Sequence, residues 1–290
     1  MEANHLIQMH LSLLLKEIET EMGGDCLFYR GEIAFGADDR IRDAVESLDD
    51  RTNKLVFILE TSGGFAEDAR RISDTLRYHY NEVSFLIPSH AMSAGTILAL
   101  SGNEIWMDYY SVLGPIDPQV PSKDGRQLVP ALGYLERYEA LIGKADGGSA
   151  SAAELQILLS FDQGELYAYR QSRDLSVNLL EEWLAKYKFK NWEKTETREM
   201  AVTDEMKKSR AIEIAHKLND TQRWNSHGLG INMERLRREL NLRIDDFGKR
   251  EKLRSAIRNY HKLALDYAGK MGYESTVQTR CIFNGRKWRE

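Results

Sequence analysis

Five apolar residues, Leu55-Val56-Phe57-Ile58-Leu59, form an unbroken run of strand length. A run without polar alternation suits a strand buried on both faces, as in a parallel sheet covered by helices. On either side the pattern changes to a helical period. Ile41, Ala44, Val45 and Leu48 fall at i, i+3, i+4 and i+7 within 37–50, and Ala69, Ile72 and Leu76 share one face within 66–80. Both spacings predict amphipathic helices. Shorter strands are expected at 26–30, at 83–87 before Pro88, and at 104–108, with a small-residue helix at 92–100. This is a βαβαβ rhythm, and the fold class it predicts is α/β.

Ahead of that core, the apolar residues of Leu6-Ile7-Gln8-Met9-His10-Leu11-Ser12-Leu13-Leu14-Leu15 recur at helical spacing, and Glu17, Glu19 and Glu21 follow. With no basic segment in front, this predicts an amphipathic helix rather than a signal peptide, its apolar face resting on the body of the protein. Residues 109–130 read as a loop. They carry four of the five prolines (Pro115, Pro118, Pro121 and Pro130) together with Gly114 and Gly125. A loop of that length in a compact domain is usually functional or mobile. Ala145-Asp146-Gly147-Gly148-Ser149-Ala150-Ser151 reads as a flexible break. Beyond it no proline occurs, and helices are expected near 153–190, 203–219, 232–240 and 249–270, with strand character at 276–283. The organisation expected is an amphipathic N-terminal helix over 1–24, an α/β core over 25–145, and a mainly helical extension over 146–290. The part of that extension near 200–247 is expected to complete the core.

Composition narrows the functions. The 290 residues are 42% hydrophobic and 29% charged, with a net charge of −5, which describes a soluble globular protein. A slightly acidic chain has no general field for nucleic acid, so no nucleic-acid partner is expected. Two cysteines, Cys26 and Cys281, cannot build a disulfide framework, which points to a reducing, cytoplasmic compartment. No stretch reaches the roughly 18 apolar residues of a membrane span. Peripheral membrane attachment is left to the N-terminal helix. The seven histidines show no paired ligand spacing and there is no Walker-type glycine loop, so neither metal nor other cofactor is expected.

Two segments carry candidate chemistry. Glu60-Thr61-Ser62-Gly63-Gly64-Phe65-Ala66 joins a buried strand to a helix. Paired glycines there permit a tight turn and leave N–H groups exposed for an anion or a developing oxyanion, although a plain turn needs the same residues. Pro88-Ser89-His90-Ala91-Met92-Ser93-Ala94-Gly95-Thr96 also joins a strand to a helix. Ser93 would stand near the helix N-terminus, at the carboxyl end of the sheet where α/β proteins bind ligands, as a nucleophile or as an N-cap. Because the two segments follow adjacent βα units, the Gly63/Gly64 amides and the Ser93 hydroxyl are expected side by side. A third segment, Ser111-Val112-Leu113-Gly114-Pro115-Ile116-Asp117-Pro118-Gln119-Val120, follows the next strand and is placed to close the same site.

Thr61-Ser62-Gly63-Gly64, Ala91-Met92-Ser93-Ala94-Gly95-Thr96 and Leu113-Gly114-Pro115-Ile116-Asp117-Pro118-Gln119 resemble, in order and spacing, the serine dehydrogenase proteinase family. That family is a branch of the clan of Clp proteases and signal peptide peptidase A. The resemblance covers about residues 50–125, with fainter support through Trp224-Asn225-Ser226-His227-Gly228, Ile231-Asn232-Met233-Glu234 and Asn241-Leu242. It implies a ClpP/crotonase-like core of repeated ββα units and a serine peptidase acting on a protein or peptide. Ser93 resembles the nucleophile. Gly64 and the Ala94 N–H resemble the oxyanion hole, with Gly63 making the turn.

The general base stays open. Clp proteases place a histidine a strand and a loop after the serine, where this chain has Asp117. Signal peptide peptidases use a lysine from a later helix, where this chain has Arg170 and Arg173, and arginine stays protonated. The candidates are Lys144, Lys123, His90 and His227, and a lysine is favoured by clan analogy. The two lysines also read as solvated, and His90 also reads as a substrate-pocket residue. His227 has chemistry suited to a base but reads as structural or interfacial. Asp117 either orients a base or caps a turn. Alternative readings are a crotonase-type acyl-CoA enzyme and a non-catalytic oligomeric scaffold. A homo-oligomer is expected, with a further protein partner possible through the helical extension. Lys186, Lys188, Lys190 and Lys194, interleaved with Tyr187, Phe189 and Trp192, read as a solvated helix end or a partner surface. Ile244-Asp245-Asp246-Phe247 and the charged helix after it read as an exposed lid or oligomer contact.

Overall fold

A computed structural model describes residues 3–122, 124–195 and 199–287. Helix α1 (Ala3–Met22) comes first, followed by β1 (Asp25–Arg30), α2 (Ala37–Glu46), β2 (Lys54–Glu60), α3 (Ala66–His79) and β3 (Glu82–Leu86). A two-residue strand β4 (His90–Ala91), α4 (Ala94–Ala99) and β5 (Glu104–Met107) complete the predicted βαβαβ series. Helix α4 begins two residues later than its periodicity suggests. Ser93 has φ +49°, which no helical residue adopts, so the helix cannot start before it.

The predicted loop at 109–130 holds three short strands: β6 (Val112–Leu113) and the hairpin β7 (Gln119–Pro121) with β8 (Leu128–Pro130). Helix α5 (Ala131–Asp146) has no counterpart among the predicted elements. The single long helix expected after the glycine break divides into α6 (Ala152–Leu159) and α7 (Gln163–Trp183). Asp162 makes the division, because its carboxylate caps α7 by accepting the Glu165 N–H at 2.9 Å. Then come α8 (Asp204–Asn219), α9 (Thr221–Trp224), β9 (Ile231–Asn232), α10 (Met233–Leu240), β10 (Asp245–Asp246), α11 (Glu251–Met271), β11 (Tyr273–Gln278) and β12 (Phe283–Lys287).

Seven strands form one sheet in the order β10-β5-β3-β2-β1-β11-β12. The first five run parallel, and β11 and β12 add antiparallel to the far edge. Both faces are covered, as the unbroken apolar run in β2 requires. Leu55, Phe57 and Leu59 face a core shared with α2, α3, α4, α7 and α8, whereas Val56 and Ile58 face α1 and α11. Helix α1 buries Leu11, Leu14, Leu15 and Ile18 there, so its apolar face rests on the body as expected.

Two predicted surfaces prove to be structural. Ile244 and Phe247 are buried, and Asp245-Asp246 is the edge strand beside β5, so this segment is not a lid. In the basic-aromatic stretch, Phe189 is buried against Trp192, and the Tyr187 ring lies under the Arg77 guanidinium at 3.8 Å. The aromatic residues there serve packing.

A second, three-stranded sheet positions the site. Its order is β4-β6-β9, with β4 parallel to β6 and β9 antiparallel to β6. Residues that follow β4, residues that follow β6 and residues that precede β9 therefore emerge at one end of it.

Candidate active site

The turn after β2 lies directly against the turn after β4. Thr61 bridges Ala91, the Thr61 N–H donates to the His90 carbonyl at 3.1 Å, and the Met92 N–H donates to the Thr61 carbonyl at 3.0 Å. The predicted juxtaposition of the two segments is therefore present. Gly63 has φ +120°, and a Cβ built on it would stand 3.0 Å from the Ser93 Cβ and 3.7 Å from Ser93 Oγ. Gly64 has φ +141°, and a Cβ there would sit 2.0 Å from the Ile33 carbonyl oxygen. Only glycine fits both constraints. On the other side, a Cβ on Gly95 would strike Thr61 at 2.3 Å and one on Gly114 would strike Met92 at 2.7 Å. Gly63, Gly95 and Gly114 each mark a close approach between two of the three motifs.

Ser93 is held at φ +49°, ψ −115°, outside the regions ordinary side chains populate. Its hydroxyl makes no capping bond to α4, so the N-cap role it could play in the sequence is not the one it plays. The elbow is braced from behind by Thr96. Its Oγ1 accepts the Gly114 N–H at 2.9 Å and lies 2.9 Å from the Ala91 carbonyl, to which it donates. One buried hydroxyl thereby ties the serine turn to the third motif.

The N–H groups around the turn divide into used and free. The Gly63 N–H donates to Thr61 Oγ1 at 3.0 Å, and the Phe65 N–H donates to the Ile33 carbonyl at 2.8 Å. Among the described residues, no backbone acceptor takes the Gly64 or the Ala94 N–H. Ala94 is the first residue of α4, where no intrahelical acceptor exists. Two free amides thus flank the serine turn.

Asp117 and His227 come together four residues beyond β6 and four residues before β9. Asp117 is buried, and its Oδ1 lies 2.9 Å from His227 Nδ1 while its Oδ2 accepts Gln119 Nε2 at 2.6 Å. An ionised carboxylate only accepts hydrogen bonds, so His227 Nδ1 is the donor. In the neutral ring, Nε2 then carries the lone pair. Antiparallel pairing of β9 with β6 and parallel pairing of β4 with β6 bring Ser93, Asp117 and His227 to the same end of the small sheet.

Two of the other base candidates, Lys144 and His90, have partners of their own. Lys144 lies near the end of α5 with its ammonium 2.6 Å from Glu154, in an exposed ion pair; the structure does not bring it to the serine turn. His90 Nδ1 contacts Ser89 Oγ at 3.1 Å. Lys123 lies outside the described residues. His227, which the sequence suggested as structural, is thus the histidine that the fold pairs with Asp117. The signal that marks it, the Trp224-Asn225-Ser226-His227-Gly228 segment, is local and points to no partner.

Behind the Gly63-Gly64 turn stands Glu60, 6% exposed, in contact with His261 of α11 and 3.5 Å from Arg30. Burial would raise its carboxyl. The His261 hydrogen bond and charge, aided by His90 and Arg30, outweigh burial and hold it below the ordinary carboxylate range.

A family model described as ClpP-like SDH-type serine proteinase matches residues 33–252. Two uncharacterised proteins of Methanocaldococcus jannaschii are each 38% identical, over 82 and 76 residues, or 28% and 26% of this chain. Those stretches span about a quarter of the relatives' own length, 26% and 27%. Among solved structures, 1510-N, a membrane-bound stomatin-specific protease, aligns over 78% of this chain and 81% of its own, at 12% identity and a TM-score of 0.46. ClpP1 from Listeria monocytogenes aligns over 79% and 93%, at 12% identity and a TM-score of 0.40. The architecture is the ClpP-like α/β fold. Among the described residues, no helix is long and apolar enough to cross a membrane.

Proposed function

The chain belongs to the ClpP-like SDH-type serine proteinases, and from that premise we propose that it hydrolyses peptide bonds with Ser93 as nucleophile. The observation that carries this reading is the strained Ser93 elbow facing Gly63, with the Asp117–His227 pair at the same end of the small sheet. His227 Nε2 would take the Ser93 proton as Oγ attacks the peptide carbonyl, and would later return it to the leaving amine. Asp117 holds the imidazole in the required tautomer and stabilises the imidazolium. The Gly64 and Ala94 amides would receive the oxyanion; two donors of this kind account for several kcal/mol of transition-state stabilisation. Gln119, bonded to the second Asp117 oxygen, fixes the carboxylate.

Intact mass spectrometry after fluorophosphonate treatment tests the reading. One adduct is expected on the wild type and none on Ser93→Ala. An adduct that survives Ser93→Ala, or no adduct on the wild type, overturns it. Binding of a CoA thioester without a covalent adduct would favour the acyl-CoA alternative instead.

The same reading includes self-association. None of the residues of α6 is buried, and Leu155, Ile157 and Leu159 stand exposed on it. A homo-oligomer that covers this helix is expected, and light scattering showing a monomer at micromolar concentration refutes it.

A further inference from the structure

Helix α11 packs on the sheet face that carries Val56, Ile58 and Leu86. Two of its side chains reach buried carboxylates at strand ends. Arg258 pairs with Asp108, the residue after β5, and His261, three positions on and on the same helix face, pairs through Nε2 with Glu60, the last residue of β2. Glu60 runs directly into Thr61-Ser62-Gly63-Gly64, so its side chain is the buried anchor of the segment bearing the free Gly64 amide. The other side-chain anchor of that segment is Thr61, whose Oγ1 bonds Gly63, since Gly63 and Gly64 have no side chains. The ionisable groups facing Glu60 are Arg30 of β1, His90 of β4 and His261 of α11. Of these, His261 makes the direct hydrogen bond, whereas Arg30 stands at 3.5 Å and is partly exposed.

We propose that His261 is a positioning residue for the reaction, holding the Gly64 amide opposite Ser93 through its contact with Glu60. The proposal rests on the reading of Ser93 as nucleophile and Gly64 as oxyanion donor. The contact is strongest as a charge-assisted hydrogen bond between an imidazolium and a carboxylate. Arg30 and His90 keep Glu60 partly compensated without that contact, so its loss slows the reaction rather than abolishing it. Asp108 is neutralised by Arg258 and leaves the His261 contact undisturbed.

The test is the second-order rate of Ser93 labelling by a fluorophosphonate, followed by intact mass. The phosphoryl oxygen of the reagent uses the same amides as a substrate carbonyl, so no substrate need be known. His261→Gln keeps a donor toward Glu60 and should retain most of the wild-type rate. His261→Ala should slow labelling about tenfold, equivalent to about 1.4 kcal/mol of activation free energy. Glu60→Gln should slow it as well. A merely structural histidine would alter the folded fraction but leave the labelling rate per folded molecule unchanged. Folded His261→Ala or Glu60→Gln protein that labels at the wild-type rate overturns the proposal. Should His261→Ala fail to fold, His261→Gln and Glu60→Gln decide. Absence of any Ser93 adduct on the wild type is the separate failure of the underlying reading, and the proposal falls with it.

Discussion

Asp117 and His227 stand 110 residues apart in the chain and share a hydrogen bond of 2.9 Å between Oδ1 and Nδ1. The carboxylate is buried and has Gln119 on its other oxygen, so it has little freedom to turn away. The pair fixes one ring nitrogen as donor and leaves the other as acceptor, which is what a base acting on a serine hydroxyl requires.

Replacing Asp117 with Asn reverses that preference. The amide can present its N–H₂ to His227, which then favours the opposite tautomer and loses the lone pair at Nε2. Turnover is expected to fall by about 10³–10⁴-fold with little change in circular dichroism. His227→Ala should cost a comparable factor. Asp117→Asn combined with His227→Ala should be no worse than the more severe single change, because the two residues act as one unit. Additive losses would show that they do not.

Gly64 and Gly143 are expected to respond oppositely to the same substitution. Gly64→Ala forces a Cβ to within 2.0 Å of the Ile33 carbonyl at a φ of +141°, and should destabilise the protein by about 3 kcal/mol or more. Gly143 lies inside α5, exposed, and a Cβ there meets nothing within 4 Å. Gly143→Ala should stabilise by roughly 0.5–1 kcal/mol, through helix propensity alone. Urea denaturation of both variants checks the signs.

The elements around the site differ in how far the sequence discloses them. Strand β2 is legible as an unbroken apolar run, and helices α2 and α3 because their apolar residues follow one helical period over ten to fourteen residues. Gly63, Gly64 and Ser93 are legible because tight turns need those residue types at strand-to-helix junctions. The Asp117–His227 pair is not, because the strands that unite its members, Val112–Leu113 and Ile231–Asn232, are too short to carry a period. The same shortness turns the loop expected at 109–130 into strands and a hairpin. Asp245-Asp246 misleads for a related reason: two charged residues between the buried Ile244 and Phe247 look like surface, yet an edge strand tolerates them. Lys144 misleads because a flexible glycine break gives no clue that Glu154 waits across it.

Arg280 ties the chain's last strands to its first. Its Nη1 lies 2.7 Å from Asp25 Oδ1 and 3.1 Å from Glu19 Oε1, and its Nη2 donates to the Asp50 carbonyl at 3.1 Å. Asp25 is 2% exposed, and removing the guanidinium would leave its charge buried with only the Thr52 N–H and the Tyr80 hydroxyl as partners. Arg280→Ala is expected to destabilise by about 3 kcal/mol. Arg280→Lys should fall between Ala and the wild type, since an ammonium cannot reach all three acceptors from one planar fork. Equal stability of the Lys and Ala variants would show that charge does not matter at this position.

Lys188 sets a pH dependence of the opposite kind from a stabilising ion pair. Burial pulls its ammonium down to about 8, against partial support from Asp245 and Glu104, and it donates to the Asn103 carbonyl at 3.5 Å. In the unfolded chain a lysine holds its proton up to about pH 10.4. Between those two values the unfolded state binds more protons than the folded one, so this residue makes stability rise with pH. Below pH 8 both states are protonated, and the cost of burying the charge is present in full. Lys188→Met, which keeps the length and removes the charge, should therefore raise the melting temperature most at pH 7 and progressively less toward pH 10. Arg77, lowered to about 10 by burial, adds a similar slope only at higher pH, which confines the test to pH 7–10. Thermal melts across that range check the prediction, and parallel curves for wild type and Lys188→Met would sink it.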